Sequence, residues 1–198
     1  MREISDHWTR KAKQEGYPAR SVYKLKEIAE KFDILPRQGA VLDVGASPGS
    51  WTKFVLRLRG GRCAVVAVDL TPLAITPHES LFFYQGDITE DETLAALKAR
   101  GPYDAVISDA APGTTGSRTV DTARSEALAE QVFGICREML KDGGACVIKI
   151  FQGEGAERIR NEMRKIFASV KAFKPKATRS ESFETYLIGQ NKKPGEGN

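Results

Sequence analysis

Five apolar stretches of strand length recur along the chain, and helical patterns separate most of them. The stretches are "AVLDV" at 40–44, "CAVVAVDL" at 63–70, "SLFFYQGD" at 80–87, "YDAVIS" at 103–108 and "GACVIKIF" at 144–151. The helical patterns lie at 49–58, 90–99, 122–140 and 155–167. Continuous apolar strands that alternate with helices are typical of a parallel sheet covered on both faces. The sequence therefore predicts an α/β fold.

The two ends of the chain add to this core. A helical pattern spans 18–31, before the first strand. Two apolar runs at 169–174 and 183–190 have no helix between them, which favours an antiparallel hairpin at one edge of the sheet. We therefore predict seven strands, mostly parallel, in a single domain over 1–190 that begins with a basic helical segment. The tail at 191–198 is predicted to be disordered.

Composition excludes several classes of protein. Hydrophobic residues make up 41% of the 198 residues, but no apolar run approaches a membrane span and no secretory segment is visible. The cysteines are far apart and the two histidines are isolated, so we expect reduced thiols and no metal site. These features predict a cytoplasmic protein. The cysteines are Cys63, Cys136 and Cys146.

Positive charge concentrates near the two ends of the chain. Residues 1–31 hold eight Lys and Arg against five acids, and residues 158–193 hold ten against three, while the net charge is only +4. If the two ends meet on one face, they form a surface suited to a polyanion such as RNA. A basic surface that is merely solvated is the alternative.

The segment "VLDVGASPGSW", residues 41–51, joins the first strand to the first helix of the α/β pattern. Its glycines, Gly45 and Gly49, do not have the G-x-G-x-x-G spacing of a dinucleotide-binding turn. A dehydrogenase that uses NAD is therefore disfavoured. Glycine and proline also occur at ordinary strand-to-helix corners, so the turn alone does not identify a ligand.

Charged residues accompany the predicted strands at the end where such a sheet binds ligands. Asp69, Asp87 and Asp109 end or follow three of the strands, Asp43 lies inside the first, and Lys149 lies near the end of the fifth. Asp69 is placed to accept hydrogen bonds from both ribose hydroxyls of an adenosine, and Asp87 to accept one from its amino group. An aspartate at this position also caps the following helix, so a structural role stays open for each.

These segments together resemble a known family. The motifs "DVGASPGSW", "VDL", "GDI", "SDAAP" and "VIKIFQGEG", with "ARSVYKLKEI" before them and "SFETYLIG" after them, are similar to the RrmJ/FtsJ family of 2′-O-ribose RNA methyltransferases. The similarity covers residues 15–190 in order. It implies a Rossmann-like methyltransferase fold with a seven-stranded sheet, and S-adenosylmethionine as the cofactor.

The resemblance also assigns residues by their place in the motifs. The family's catalytic set falls on Lys24, Asp109, Lys149 and Glu184. The residues implied for the cofactor are Gly45, Pro48, Gly49, Trp51, Asp69, Asp87 and Asp109. Lys149 lies in an apolar strand, where desolvation favours the neutral amine that could take a proton from a ribose hydroxyl. A role in orienting the hydroxyl, or a lysine that merely reaches solvent from a strand end, stays open.

Two residues depart from the family pattern, and the substrate is left with alternatives. Ser50 stands where family members often have glycine, and Gly113 where they often have asparagine. The first is expected to be tolerated in a helical conformation, and the second puts fine specificity in doubt. The resemblance implies a monomer that acts on a uridine of 23S ribosomal RNA in the large subunit. The alternatives are the anticodon loop of tRNA and a non-catalytic RNA-binding module.

Overall fold

The computed structural model describes residues 2–179 and 182–195. Its helices are α1 (Arg2–Gln14), α2 (Val22–Phe32), α3 (Ser50–Arg59), α4 (Asp91–Lys98), α5 (Arg118–Met139) and α6 (Glu154–Ile166). Its strands are β1 (Gly39–Val44), β2 (Cys63–Asp69), β3 (Leu81–Gln85), β4 (Tyr103–Ser108), β5 (Leu140–Phe151), β6 (Phe167–Phe173) and β7 (Glu184–Lys192).

All seven strands belong to one sheet, in the order β3-β2-β1-β4-β5-β7-β6. The pairs among β1 to β5 are parallel, and β7 is antiparallel to both of its neighbours, β5 and β6. The predicted α/β fold with seven mostly parallel strands is therefore confirmed. The predicted antiparallel pair lies at one edge, with β7 placed between β5 and β6.

The side chains of each strand alternate between two hydrophobic cores. Leu42, Val106 and Ile148 pack in one core with residues of α4, α5 and α6. Val41, Ile107 and Val147 pack in the other core with residues of α1, α2 and α3. By this alternation Lys149, two residues after Val147, belongs to the face that α1, α2 and α3 cover.

The basic N-terminal segment forms two helices where the sequence pattern predicted one from residue 18. The chain leaves α1 through Gly16, whose φ of +73° is left-handed and favours glycine. Pro18 follows, and α2 begins only at Val22. Arg57 of α3 fixes this connection, because its guanidinium donates to the Glu15 carbonyl at 2.7 Å and lies over the ring of Tyr17.

The ordered chain also continues past residue 190, where the sequence pattern placed the end of the domain. Strand β7 runs to Lys192, and the Lys192 ammonium donates to the carbonyls of Arg137 and Leu140 at the end of α5. The Lys193 amide donates to the Ile166 carbonyl at 2.8 Å. Lys192 and Lys193, which the sequence placed in the tail, therefore help to cap the C-terminal ends of α5 and α6. The last residues of the predicted tail, 196–198, lie outside the described residues.

The cysteines agree with the prediction of reduced thiols, since Cys63, Cys136 and Cys146 are buried and free. Within residues 2–179 and 182–195, no helix is long and apolar enough to cross a membrane. In the same part of the chain, no group of three or more His, Cys, Asp or Glu side chains is arranged to hold a metal ion.

Candidate active site

A cavity of about 390 Å³ opens at the carboxyl ends of the central strands. Gly45 follows β1, Asp69 ends β2, Asp87 lies beyond β3 and Asp109 follows β4, and all four line the cavity. The structure thus brings together four of the residues assigned to the cofactor. This is the sheet edge where open α/β folds bind ligands.

Asp69 and Asp87 are both held by local hydrogen bonds. Asp69 accepts the Ser47 amide at 2.9 Å on one oxygen, and the amide and hydroxyl of Thr71 at 2.8 and 2.9 Å on the other. One oxygen of Asp87 accepts the amide and hydroxyl of Thr89 at 2.9 and 2.8 Å. The helix cap that the sequence left open for each aspartate is not formed, because β2 leads directly to β3 in the described chain and the N-cap of α4 is Glu90. The hydrogen bonds hold the loops after β2 and β3 instead, and they fix two carboxylates at the wall of the cavity.

Gly45 owes its identity to close packing at the turn after β1. Its φ is +72°, and a Cβ built on it would lie 2.5 Å from the Cβ of Ala110. Any side chain here would push the turn away from the loop after β4. A glycine therefore lets the turn after β1 pack directly against the loop after β4, at the wall of the cavity.

Pro48, Gly49 and Trp51 lie beyond Gly45 and are not among the residues that line the cavity. Gly49, with a φ of +105°, is the N-cap of α3. Trp51 is 2% exposed, and its indole nitrogen donates to the Ser21 carbonyl at 2.8 Å. Contact between these three residues and a cofactor stays a prediction from the resemblance.

The two departures from the family pattern have different surroundings. Ser50 is helical and buried, and its hydroxyl accepts the Ala19 amide at 2.7 Å and donates to the Ala19 carbonyl at 3.1 Å. The start of α3 therefore holds the segment that leads into α2. Gly113 lies in the exposed loop between β4 and α5, and a Cβ on it would meet nothing within 4 Å.

The four residues of the predicted catalytic set come together beside the cavity. The Lys149 Nζ lies 3.0 Å from Asp109 Oδ1 and also donates to the backbone carbonyl of Asp109. The Lys24 Nζ lies 3.9 Å from the same Oδ1 and 2.5 Å from Glu184 Oε1. Each charge comes from a different part of the sheet or its helices: Lys24 from α2, Asp109 from the position after β4, Lys149 from β5 and Glu184 from β7.

This cluster is largely shielded from water. The side chains of Lys149, Lys24, Glu184 and Asp109 are 8%, 10%, 13% and 16% exposed. Burial alone would raise the pKa of the Asp109 carboxyl, but the Lys149 and Lys24 ammonium groups outweigh it and hold that pKa below its usual value. Asp109 is therefore a carboxylate at neutral pH.

Sequence reasoning missed a fifth member of the cluster, Tyr186. Its hydroxyl donates to Asp109 Oδ1 at 2.6 Å, and its side chain is fully buried. It lies two positions after Glu184 on β7, so the period of two along a strand puts both on one face. That spacing was the available signal.

Asp43, inside β1, is a buried acid close to this site. It is 0% exposed, and one carboxyl oxygen accepts the Thr52 hydroxyl at 2.6 Å. The other oxygen has no hydrogen-bond partner among the described residues. Burial, followed by the charges of Asp109 and Asp69, raises the pKa of Asp43 to about 7, although the Thr52 hydrogen bonds oppose the shift.

Asp43 predicts a stability that depends on pH. Because its pKa is raised in the folded state, the folded protein should lose stability as pH rises from about 4, the unfolded value, to about 7. Asp43→Asn removes this titration. The free energy of unfolding of the variant, relative to that of the wild type, should therefore rise by up to about 1.4 kcal/mol for each pH unit in that window.

Urea denaturation of both proteins at pH 5, 6, 7 and 8 measures the difference. Thr52→Val is the control, since it removes the hydrogen bond of Asp43 but keeps the titrating acid. A difference between Asp43→Asn and the wild type that is the same at every pH would contradict the raised pKa.

Comparisons with known proteins show the family of the chain. The family model described as FtsJ-like methyltransferase matches residues 17–192. Ribosomal RNA large subunit methyltransferase E of Treponema denticola is 52% identical over 185 residues, which cover 93% of each chain. A solved Plasmodium falciparum protein, assigned as a ribosomal RNA methyltransferase, superposes with a TM-score of 0.78 at 25% identity, over 89% of this chain and 98% of that one.

A more distant structure has the same fold. Human methyltransferase-like protein 13, solved in complex with SAH, superposes with a TM-score of 0.58 at 15% identity, over 87% of this chain and 83% of that one. The predicted Rossmann-like methyltransferase fold is thereby confirmed. On the family match and the identity to its relatives, the chain belongs to the FtsJ-like methyltransferase family.

Proposed function

We propose that this chain transfers a methyl group from S-adenosylmethionine to the 2′-hydroxyl of a ribose in RNA. The observation that carries the proposal is the position of Asp109, which lines the cavity and binds the ammonium groups of Lys149 and Lys24. A cofactor in the cavity and a hydroxyl at the lysines would therefore lie side by side. A non-catalytic module has no need to keep four charges together in a buried cluster.

Membership of a methyltransferase family confirms the predicted cofactor, S-adenosylmethionine. The cavity suits it, because the carboxylates of Asp69 and Asp87 can accept hydrogen bonds from hydroxyl and amino groups, and Leu70 and Ile88 offer apolar surface to a base. When bound, S-adenosylmethionine supplies a methyl group that its sulfonium makes electrophilic.

In this proposal, Lys149 binds the ribose hydroxyl by a hydrogen bond. An ammonium has three donors, and Lys149 directs hydrogen bonds at the carboxylate and the carbonyl of Asp109. The remaining donor can hold the 2′-oxygen in line with the methyl group, where positioning alone contributes strongly to the rate. The 2′-hydroxyl would release its proton to water as its oxygen takes the methyl group from the sulfonium. Lys24, paired with Glu184, supports Asp109 from the α2 side.

We infer that the RNA is that of the large ribosomal subunit, with a uridine of 23S ribosomal RNA as the target. Support for ribosomal RNA comes from relatives such as the methyltransferase E of Treponema denticola. We propose in addition that the enzyme acts in the cytoplasm as a monomer. Methylation of purified 23S ribosomal RNA and tRNA, followed by mass spectrometry of the nucleosides, tests the substrate, and 2′-O-methylation of tRNA alone would contradict it.

The two basic ends meet only in part. On α6, Arg158 pairs with Glu126 and Glu130 of α5, and the other cations pair with acids of α6 itself. This helix packs in the core on the α4–α6 face, away from α2. The segment after β6, by contrast, lies against α2, because the Lys176 amide donates to Glu27 at 2.8 Å. The surface that we propose for RNA is therefore α2 with residues 171–179.

Asp69→Ala should weaken binding of S-adenosylmethionine by about 1.5–3 kcal/mol, because a carboxylate that accepts hydrogen bonds from the cofactor is removed. Calorimetry measures the affinity, and the melting temperature checks the fold. Asp104→Ala, which removes a carboxylate at the opposite end of the strands, is the control. An unchanged affinity in Asp69→Ala contradicts the assignment.

Lys149→Ala should keep its affinity for S-adenosylmethionine and transfer methyl groups about 10²-fold more slowly, because the 2′-oxygen is no longer held in line. Lys149→Arg should also fail, since its planar fork does not put a single donor where the ammonium lies. Single-turnover methylation of transcribed RNA measures both. A near-normal rate in Lys149→Arg would show that only a positive charge is required.

Charge reversal should show which of the two basic regions contributes to RNA binding. The double variant Lys26→Glu with Lys176→Glu changes two exposed cations of the proposed surface and should weaken RNA binding. The slope of log K against log salt concentration should also become shallower, by about one for each phosphate that the protein no longer neutralises. Arg164→Glu with Lys165→Glu on α6 is the matched control and should bind normally. Fluorescence anisotropy over a salt series measures both pairs, and equal weakening in the two would contradict the proposed surface.

A further inference from the structure

Tyr186 lies among the four charged residues, and the motifs that carry the family resemblance assign it no role. Its hydroxyl donates to Asp109 Oδ1 at 2.6 Å. Its ring centre lies 5.9 Å from the Lys24 Nζ and 5.9 Å from the ring centre of Trp51. One buried side chain thus lies against the shared carboxylate, one of its two cations, and the helix that follows the turn after β1.

We propose that Tyr186 is a positioning residue for methyl transfer, whose hydroxyl fixes the Asp109 carboxylate so that Lys24 and Lys149 both meet it at Oδ1. The inference rests on the proposed function. It adds a residue that acts through Asp109 and does not touch the reacting atoms.

The need for such a donor follows from the geometry of the carboxylate. The terminal torsion of an aspartate is soft, and the two lysines approach Asp109 from different elements, α2 and β5. Tyr186, in contrast, is placed by the sheet, because it is the cross-strand partner of Lys149 in the pairing of β5 with β7. A hydroxyl fixed to the strand beside Lys149 therefore sets both the rotation of the carboxylate and its distance from the ammonium.

Tyr186 remains a neutral donor. Burial, with the negative charges of Asp109 and Glu184, raises the pKa of its phenol well above the usual value. The titratable groups around Asp109 and Tyr186 are Lys24 of α2, Lys149 of β5, Glu184 of β7 and Asp43 of β1. All of them remain in Tyr186→Phe, which removes only the hydrogen bond, so the pKa of Asp109 should rise in the variant.

The matched control lies next to it on the strand. Thr185 is buried, and its hydroxyl donates to the Phe173 carbonyl at 3.2 Å. Thr185→Val therefore also removes one buried hydroxyl from β7, without touching the cluster. Tyr186→Phe should lower the single-turnover rate by about 10- to 100-fold and leave the affinity for S-adenosylmethionine within about twofold of the wild type, while Thr185→Val should transfer methyl groups normally.

Two further measurements distinguish positioning from simple loss of stability. In an Asp109→Asn background, adding Tyr186→Phe should cause no further loss of rate, because its effect acts through the carboxylate. The ¹³C shift of the Asp109 carboxyl, followed against pH, should titrate at higher pH in Tyr186→Phe than in the wild type or in Thr185→Val.

Three results would overturn the inference. They are an unchanged single-turnover rate in Tyr186→Phe, a loss of rate in Thr185→Val equal to that in Tyr186→Phe, and an Asp109 carboxyl that titrates at the same pH in Tyr186→Phe as in the wild type. The carboxyl titration needs no RNA. If the wild type transfers no methyl group to RNA, the proposed function fails, but the titration still decides whether Tyr186 holds Asp109.

Discussion

Two ammonium groups and a phenol share one oxygen of Asp109, and the arrangement of the sheet makes this possible. Charges that are mostly buried are tolerated only when they are paired. Lys24 and Lys149 balance Asp109 and Glu184, so the cluster as a whole carries no net charge. Removing any one of the four charged side chains leaves a charge without compensation, so the stability of this region depends on the same residues as its chemistry.

The reversed direction of β7 is what completes the cluster. In the parallel strands, residues at the end of a strand reach the edge where the cavity lies, so β5 brings Lys149 there near its own end. Because β7 is antiparallel, its first residues lie at that same edge, and Glu184 pairs with Phe151 at the end of β5. Glu184 and Tyr186 thus approach Asp109 from the side opposite to β1. A seventh parallel strand would have put them at the other end of the sheet.

The sequence predicted the regular elements and their charged ends, because these depend on local patterns. Strand β4 has the predicted bounds, and Lys24, Asp109, Lys149 and Glu184 meet as the resemblance implied. What it missed depends on interactions between distant segments. The break between α1 and α2 is secured by Arg57 of α3, and the end of β7 by carbonyls of α5. The ion pairs of Arg158 depend on α6 lying beside α5, which no count of charges along the chain reveals.

The start of α3 connects the turn after β1 to Lys24 of α2. On one side, the turn from Gly45 leads through the Gly49 N-cap into α3. On the other side, Ser50 exchanges two hydrogen bonds with Ala19, and Trp51 donates to the Ser21 carbonyl, three residues before Lys24. A glycine at position 50 could make neither of the Ser50 hydrogen bonds. The departure from the family pattern thus adds two hydrogen bonds between the start of α3 and the segment that leads to Lys24, so the turn after β1 and the position of Lys24 share one support.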